Sequence, residues 1–68
     1  MIIFATEKNG IVYAYDDNEK KVLSEPGKLD SYTNNTVAIV RNNKTYIYDD
    51  NGKITHTYPD FVDIRNIV

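Results

Sequence analysis

Apolar and polar positions alternate with a period of two from the start of the chain. "IIFATEK" (2–8), "IVYAYD" (11–16) and "KVLSE" (21–25) are short runs rich in β-branched and aromatic residues, separated by Asn9-Gly10 and by "DNEK" (17–20). Runs of this kind bounded by turn residues predict strands joined by hairpins. Asn-Gly is the strongest two-residue hairpin signal, because both central residues of a type I′ turn need positive φ. The same order then recurs. A strand around Val37–Val40 is followed by Asn42-Asn43, by "KTYIYD" (44–49), by the turn "DNGK" (50–53) and by "KITHTY" (53–58). Asparagine is the side chain that best tolerates the left-handed region after glycine. Pro26 and Pro59 end the third strands, since proline cannot donate to a ladder.

This recurrence is a repeat at the level of single residues. Residues 2–34 superimpose on 35–67 at an offset of 33 without a gap, with ten identities that include Ala5/Ala38, Tyr13/Tyr46, Tyr15/Tyr48, Asp16/Asp49 and Pro26/Pro59. Periods of this length are a mark of repeated supersecondary units. Residues 1–68 therefore read as a single all-β domain of two tandem three-stranded antiparallel meanders, with internal repeats 2–34 and 35–67. The meanders would be propeller-blade-like or would form a small sandwich or barrel. Gly27–Asn35 is the expected connector, with room for one helical turn. In the tail, Phe61, Ile64 and Val68 have helical spacing while Val62, Ile64 and Val68 suit a strand, and a short turn leading into a last strand is preferred.

The faces of these strands carry the next inference. Ile11, Tyr13 and Tyr15 share one side of a strand, with Val12 and Ala14 on the other; Tyr46 and Tyr48 share a side, with Ile47 opposite. The first strands set Ile2 and Phe4 against Ile3 and Ala5, and Val37 and Ile39 against Ala38 and Val40. An antiparallel sheet with one solvated side alternates cleanly between apolar and polar. Here neither side is cleanly polar, so both must be at least partly covered. A chain this short buries only about 60% of the surface that its unfolded form exposes. A homo-oligomer is therefore expected.

"NGIVYAYDDNEKKVLSEPG" (9–27) resembles the repeat of quinoprotein-type β-propellers, roughly G-x-V-Y-A-x-D-x-x-x-G-K-V-L-W, through Gly10, Val12, Tyr13, Ala14, Asp16, Lys21, Val22 and Leu23. It departs where Lys20 replaces a glycine and Ser24 the docking tryptophan. "YIYDDNGKI" (46–54) is similar to the YD repeat of Rhs-type shells, through Tyr46, Tyr48, Asp49, Gly52, Lys53 and Ile54. Both likenesses lie at the level of one hairpin and cover about half the chain. They imply a blade-like or shell-like antiparallel sheet, closed by several chains, and they carry over no cofactor or catalytic residue.

Composition narrows the function classes. With no cysteine and one histidine, His56, the chain has neither a disulfide framework nor a thiolate metal site. A formal net charge of −2 and a single adjacent basic pair, Lys20-Lys21, argue against nucleic acid. The apolar run at the N-terminus ends at Ala5, too short for a signal peptide, and no segment approaches a membrane span. A cytoplasmic protein and a complete small gene product are expected, of a size that fits accessory proteins of bacteria or their phages. Asp16-Asp17-Asn18 and Asp49-Asp50-Asn51 cluster oxygen donors, but they fail the EF-hand spacing and suit β-turns, where Asp and Asn bond their own backbone. His56 with Ser31, Asp60 or Asp63 lacks a nucleophile-elbow motif, and no catalytic residue, metal or cofactor is assigned.

Six tyrosines remain, and Tyr is a large, rigid, amphipathic contact residue enriched at interfaces. The candidate binding surface is Tyr13, Tyr15, Tyr46 and Tyr48 with Asp16 and Asp49. The expectation is a non-enzymatic interaction protein that self-associates and binds a partner protein, in an accessory or inhibitory role. The alternative is a lectin-like module taking a small ligand or carbohydrate at twin Tyr/Asp/Asn sites. Solvent-facing clefts at Tyr15 and Tyr48 would favour the ligand, and burial of both would favour self-association.

Overall fold

Seven β-strands and no helix make up residues 1–59, the part of the chain that the computed structural model describes. They are β1 (Ile2–Lys8), β2 (Ile11–Asp16), β3 (Lys21–Pro26), β4 (Lys28–Tyr32), β5 (Thr36–Arg41), β6 (Lys44–Asp49) and β7 (Ile54–Pro59). β1-β2-β3 form one antiparallel sheet and β4-β5-β6-β7 a second, each in sequence order. No described strand of one sheet pairs with a strand of the other, so they close no barrel. The turn and strand expected in the tail fall on residues 60–68, outside the described residues.

Turn chemistry sets the register. Asn9 and Gly10 have φ of 55° and 79°, and Asn42 and Asn43 have 54° and 62°, so both tight hairpins take the left-handed pair that a type I′ turn requires. Each turn places the residues flanking it opposite one another, Lys8 against Ile11 and Arg41 against Lys44. The longer turns also match. The Asp16 carbonyl accepts from Glu19 N and the Asp49 carbonyl from Gly52 N, both at 3.0 Å. Glu19 (φ 64°) and Gly52 (φ 83°) then take the left-handed residue that returns the chain to the next strand. Past each turn the register shifts, leaving Val22 and Thr55 as the extra residues of β-bulges.

Two expectations need correction. The connector holds no helical turn, because Lys28–Tyr32 is a strand and makes the second sheet four-stranded. Gly27 alone joins β3 to β4, with φ of 131°, and its amide donates to the Gly10 carbonyl at 2.9 Å. The chain thus turns straight onto the free edge of β5, whose backbone groups need partners, and Leu29 packs against the core. On β1 the strict alternation also fails. A register shift between Ile2 and Phe4 makes Ile3 the extra residue, so Ile2 and Ala5 are buried while Ile3 and Phe4 are exposed.

One core lies between the sheets. Ile2, Ala5, Val12, Ala14 and Leu23 from the first sheet meet Val37, Ile39 and Tyr48 from the second, with Val22, Leu29 and Tyr46 partly buried against them. Full burial of a Val, Leu or Ile side chain contributes about 1.5–3 kcal/mol, and Ile2, Val12, Val37 and Ile39 are fully buried. Polar bonds fasten the rims. Ile2 N donates to the Asn34 carbonyl at 2.6 Å, Asn34 Nδ2 returns a bond to the Ile2 carbonyl at 3.1 Å, and Leu29 N donates to Glu7 Oε1 at 3.0 Å. Arg41 Nη1 donates to the Pro26 carbonyl at 2.8 Å, binding the end of β5 to the end of β3.

Candidate binding surface

The two tyrosine pairs are placed differently: one faces away from the core between the sheets and the other faces into it. On β2 the core takes Val12 and Ala14, which turns Tyr13 and Tyr15 outward, where both are half-buried by their neighbours. On β6 the core takes the other parity. Tyr48 is 2% exposed and Tyr46 packs against the core, while Thr45 and Ile47 face out. The turns that flank β2 and β6 match, so the difference arises from which side of each sheet meets the other.

The outer side of the first sheet is an aromatic patch. The two-residue turn sets Thr6 opposite Tyr13 and Phe4 opposite Tyr15, and β3 adds Ser24 opposite Tyr13 and Lys21 opposite Tyr15. Phe4 and Tyr15 stack with ring centroids 6.3 Å apart, and Lys21 Nζ lies 5.3 Å from the centre of the Tyr13 ring. Phe4 nevertheless keeps 50% of its surface exposed, with Ile3 at 48% beside it. Phe4 and Lys21 belong to this patch but not to the candidate binding surface expected from sequence. The signal was present for Phe4, because the Asn9-Gly10 hairpin fixes the sum of paired positions and so puts Phe4 across from Tyr15.

The inner pair is held by Arg41. Its Nη2 donates to the Tyr48 hydroxyl at 2.9 Å, and its guanidinium carbon sits 4.3 Å from the centre of the Tyr46 ring. The bond to Tyr48 holds the guanidinium pKa above its ordinary value, outweighing burial. Cation–π stacking of this kind is worth about 0.5–2 kcal/mol, more as water is excluded. Glu25 lies 3.9 Å from the same guanidinium.

Asp16 and Asp49 are turn residues, each in its own hairpin. Asp16 Oδ1 accepts from Asn18 N at 2.8 Å and Lys20 N at 2.9 Å; Asp49 Oδ1 accepts from Asn51 N at 2.8 Å and Lys53 N at 2.9 Å. These backbone bonds, Lys20 first for Asp16 and Lys53 first for Asp49, hold both carboxyls below the ordinary aspartate range. The bonds satisfy one oxygen of each carboxylate and fix the loop that follows.

The six candidate residues thus divide. Tyr13 and Tyr15 lie on the outer face, Tyr46 and Tyr48 lie toward the core, and each aspartate sits in its own turn. No cavity forms among the described residues, and none of their His, Asp and Glu side chains gather in threes. Nor is any described helix long and apolar enough to cross a membrane. No protein-family model matches the chain, and no curated protein or solved structure shows significant similarity to it.

Proposed function

We propose that this protein is a small non-enzymatic interaction module that self-associates through its sheets and engages a partner protein in an accessory or inhibitory role. The observation that carries this reading is the outer face of the first sheet, where Phe4, Tyr13 and Tyr15 form an aromatic patch on the side opposite the core. Aromatic side chains flanked by polar ones are the usual composition of a protein contact. They combine large contact area with few rotatable bonds, so little entropy is lost on docking. The two 33-residue copies supply the sheets, and association of several chains covers what two sheets leave open.

The test is absolute mass in solution, by light scattering behind size exclusion over a concentration series. A dimer or larger species is expected, with Tyr13→Ser and Tyr15→Ser together shifting it towards monomer. A wild-type protein that stays monomeric up to millimolar concentration overturns the self-associating part of the proposal.

A further inference from the structure

The molecule already contains one sheet-to-sheet interface, and each of its two sheets turns its other side outward. The inner side of the first sheet presents Ala5, Val12, Ala14 and Leu23; the inner side of the second presents Val37, Ile39, Tyr46 and Tyr48. These two sides are not equivalent positions of the repeat. Shifted by 33, the second set falls on Phe4, Thr6, Tyr13 and Tyr15, which is the outer side of the first sheet. Shifted the other way, the first set falls on Ala38, Thr45, Ile47 and His56, which belong to the outer side of the second sheet. The two sheets therefore stack front to back, and among the described residues one front and one back have no sheet packed against them.

We infer that the occupant of the aromatic front is the back of a second copy of this chain, docked head to tail in the manner of the internal interface. This deepens the self-association proposed above and rests on it. The chemistry of the two outer sides follows that of the inner ones. Tyr13 and Tyr15 repeat Tyr46 and Tyr48, Phe4 replaces Val37, Ala38 repeats Ala5, and Ile47 stands for Ala14. The back carries Ala38, itself buried by its neighbours, beside the half-buried Ile47 of the adjacent strand, and two pairs further on, on the same side, the half-buried Val40 opposite Thr45. Small and aliphatic residues there match in kind the Ala5 and Ala14 that line the inner side of the first sheet. Thr45 and His56 stand where the core has Val12 and Leu23, so the contact between chains is more polar than the one within a chain. That suits a surface which must also remain in water as a monomer.

Front-to-back contact is heterologous, so it either closes into a ring or runs on as an open stack. A front-to-front or back-to-back dimer would instead be isologous, with a two-fold axis and no free surface of the same kind. Complementation separates the two. Phe4→Glu disables the front and leaves the back intact; Ile47→Glu disables the back and leaves the front intact. Thr6→Arg and Thr45→Arg are the second pair, chosen because both threonines are half-buried, lie on the outer sides and take no part in the core. Circular dichroism of each full-length variant establishes that it folds, and the second pair replaces the first wherever a variant of the first does not.

The expected result is that each variant alone self-associates at least about tenfold more weakly than wild type, the effect of losing a central contact. An equimolar mixture of a front variant and a back variant is expected to form a two-chain species that grows no further. Three results overturn the inference. If the back variant alone still dimerises while the front variant does not, and mixing yields no new species, the association is front to front. The mirror pattern means back to back. A back variant that associates as wild type does, with no mixed species, means that the outer side of the second sheet is not the docking surface. A monomeric wild type would instead remove the self-association on which the inference rests, so the two failures are told apart.

Discussion

Gly27→Ala is expected to be the most damaging one-carbon change in the chain. Gly27 is the single residue between the sheets, and at φ of 131° it occupies a region that side chains disfavour strongly. A Cβ added there would lie 2.6 Å from Ile39 Cγ2, 2.8 Å from the Val40 carbonyl oxygen and 3.3 Å from Arg41 Cβ. Ile39 is fully buried and Val40 offers backbone, so neither neighbour gives way cheaply. Backbone strain of this kind costs roughly 1–3 kcal/mol, and forcing an extra methyl into a packed core about 1–3 kcal/mol more. The sum, about 2–6 kcal/mol, is set against the roughly 3–10 kcal/mol expected for a domain of this length. A sizeable unfolded fraction in the absence of denaturant should follow.

Gly10→Ala is the control, because Gly10 also has positive φ (79°) but a Cβ there meets nothing within 4 Å. It should lose only the backbone term, about 1–2 kcal/mol. The assay is urea unfolding of both variants followed by circular dichroism, comparing midpoints at equal slope. Equal losses in the two variants would refute the reasoning, since they would show that φ alone decides and that the contact with Ile39 and Val40 is not made.

Other outcomes follow from the turns and the core. Glu19→Gly should stabilise by up to ~1 kcal/mol, because Glu19 holds the same left-handed conformation (φ 64°) that Gly52 holds 33 residues later; Asn43→Gly should be neutral or stabilising by up to ~1 kcal/mol for the same reason. Thermal unfolding measures both, and a clear loss in either would contradict the turn assignment. Tyr48→Ala should cost about 3–5 kcal/mol, as for other large buried aromatics, whereas Tyr15→Ala on the outer face should cost about 1 kcal/mol; matching losses would mean that the two strands bury the same side. Acid should weaken the fold through Asp16 and Asp49, whose folded-state pKa values lie below the ordinary ones. Their contribution is complete above the ordinary aspartate range and fades as pH falls through the depressed folded-state values. Asp16→Asn with Asp49→Asn keeps an acceptor oxygen in each turn and should flatten that acid limb in a pH series of unfolding midpoints.

Most of the strand pattern was legible in the sequence because it is local. β1, β2 and β6 span the residues that alternation and the Asn-containing turns predict. The register of each tight hairpin follows from its two-residue loop. β4 was not legible because "KLDSY" has only Leu29 and Tyr32 as apolar residues and follows a Pro-Gly pair that reads as a loop. It is a strand because β5 has a backbone edge to fill and Leu29 a core to reach, and both are tertiary facts. The bulge at Ile3 was equally hidden, since nothing in "IIFA" marks which residue will be the extra one.

The side that each sheet buries could not be read from the repeat, and the reason bears on function. "YAYDDN" and "YIYDDN" ask for the same hairpin and obtain it, yet Tyr15 faces out and Tyr48 faces in. Had both copies buried the same side, the molecule would be a two-fold sandwich with two alike, self-sufficient outer faces. Stacking front to back instead puts one front and one back into the core and leaves, among the described residues, one of each with no sheet against it. On the proposed head-to-tail association both sides serve as contacts, and that accounts for neither being cleanly polar in either half of the sequence. The proposed association thus gives the ambiguous face pattern of the sequence and the aromatic patch of the structure one physical origin. On that proposal each half of the sequence supplies a sheet with two contact sides, and one internal interface occupies two of the four.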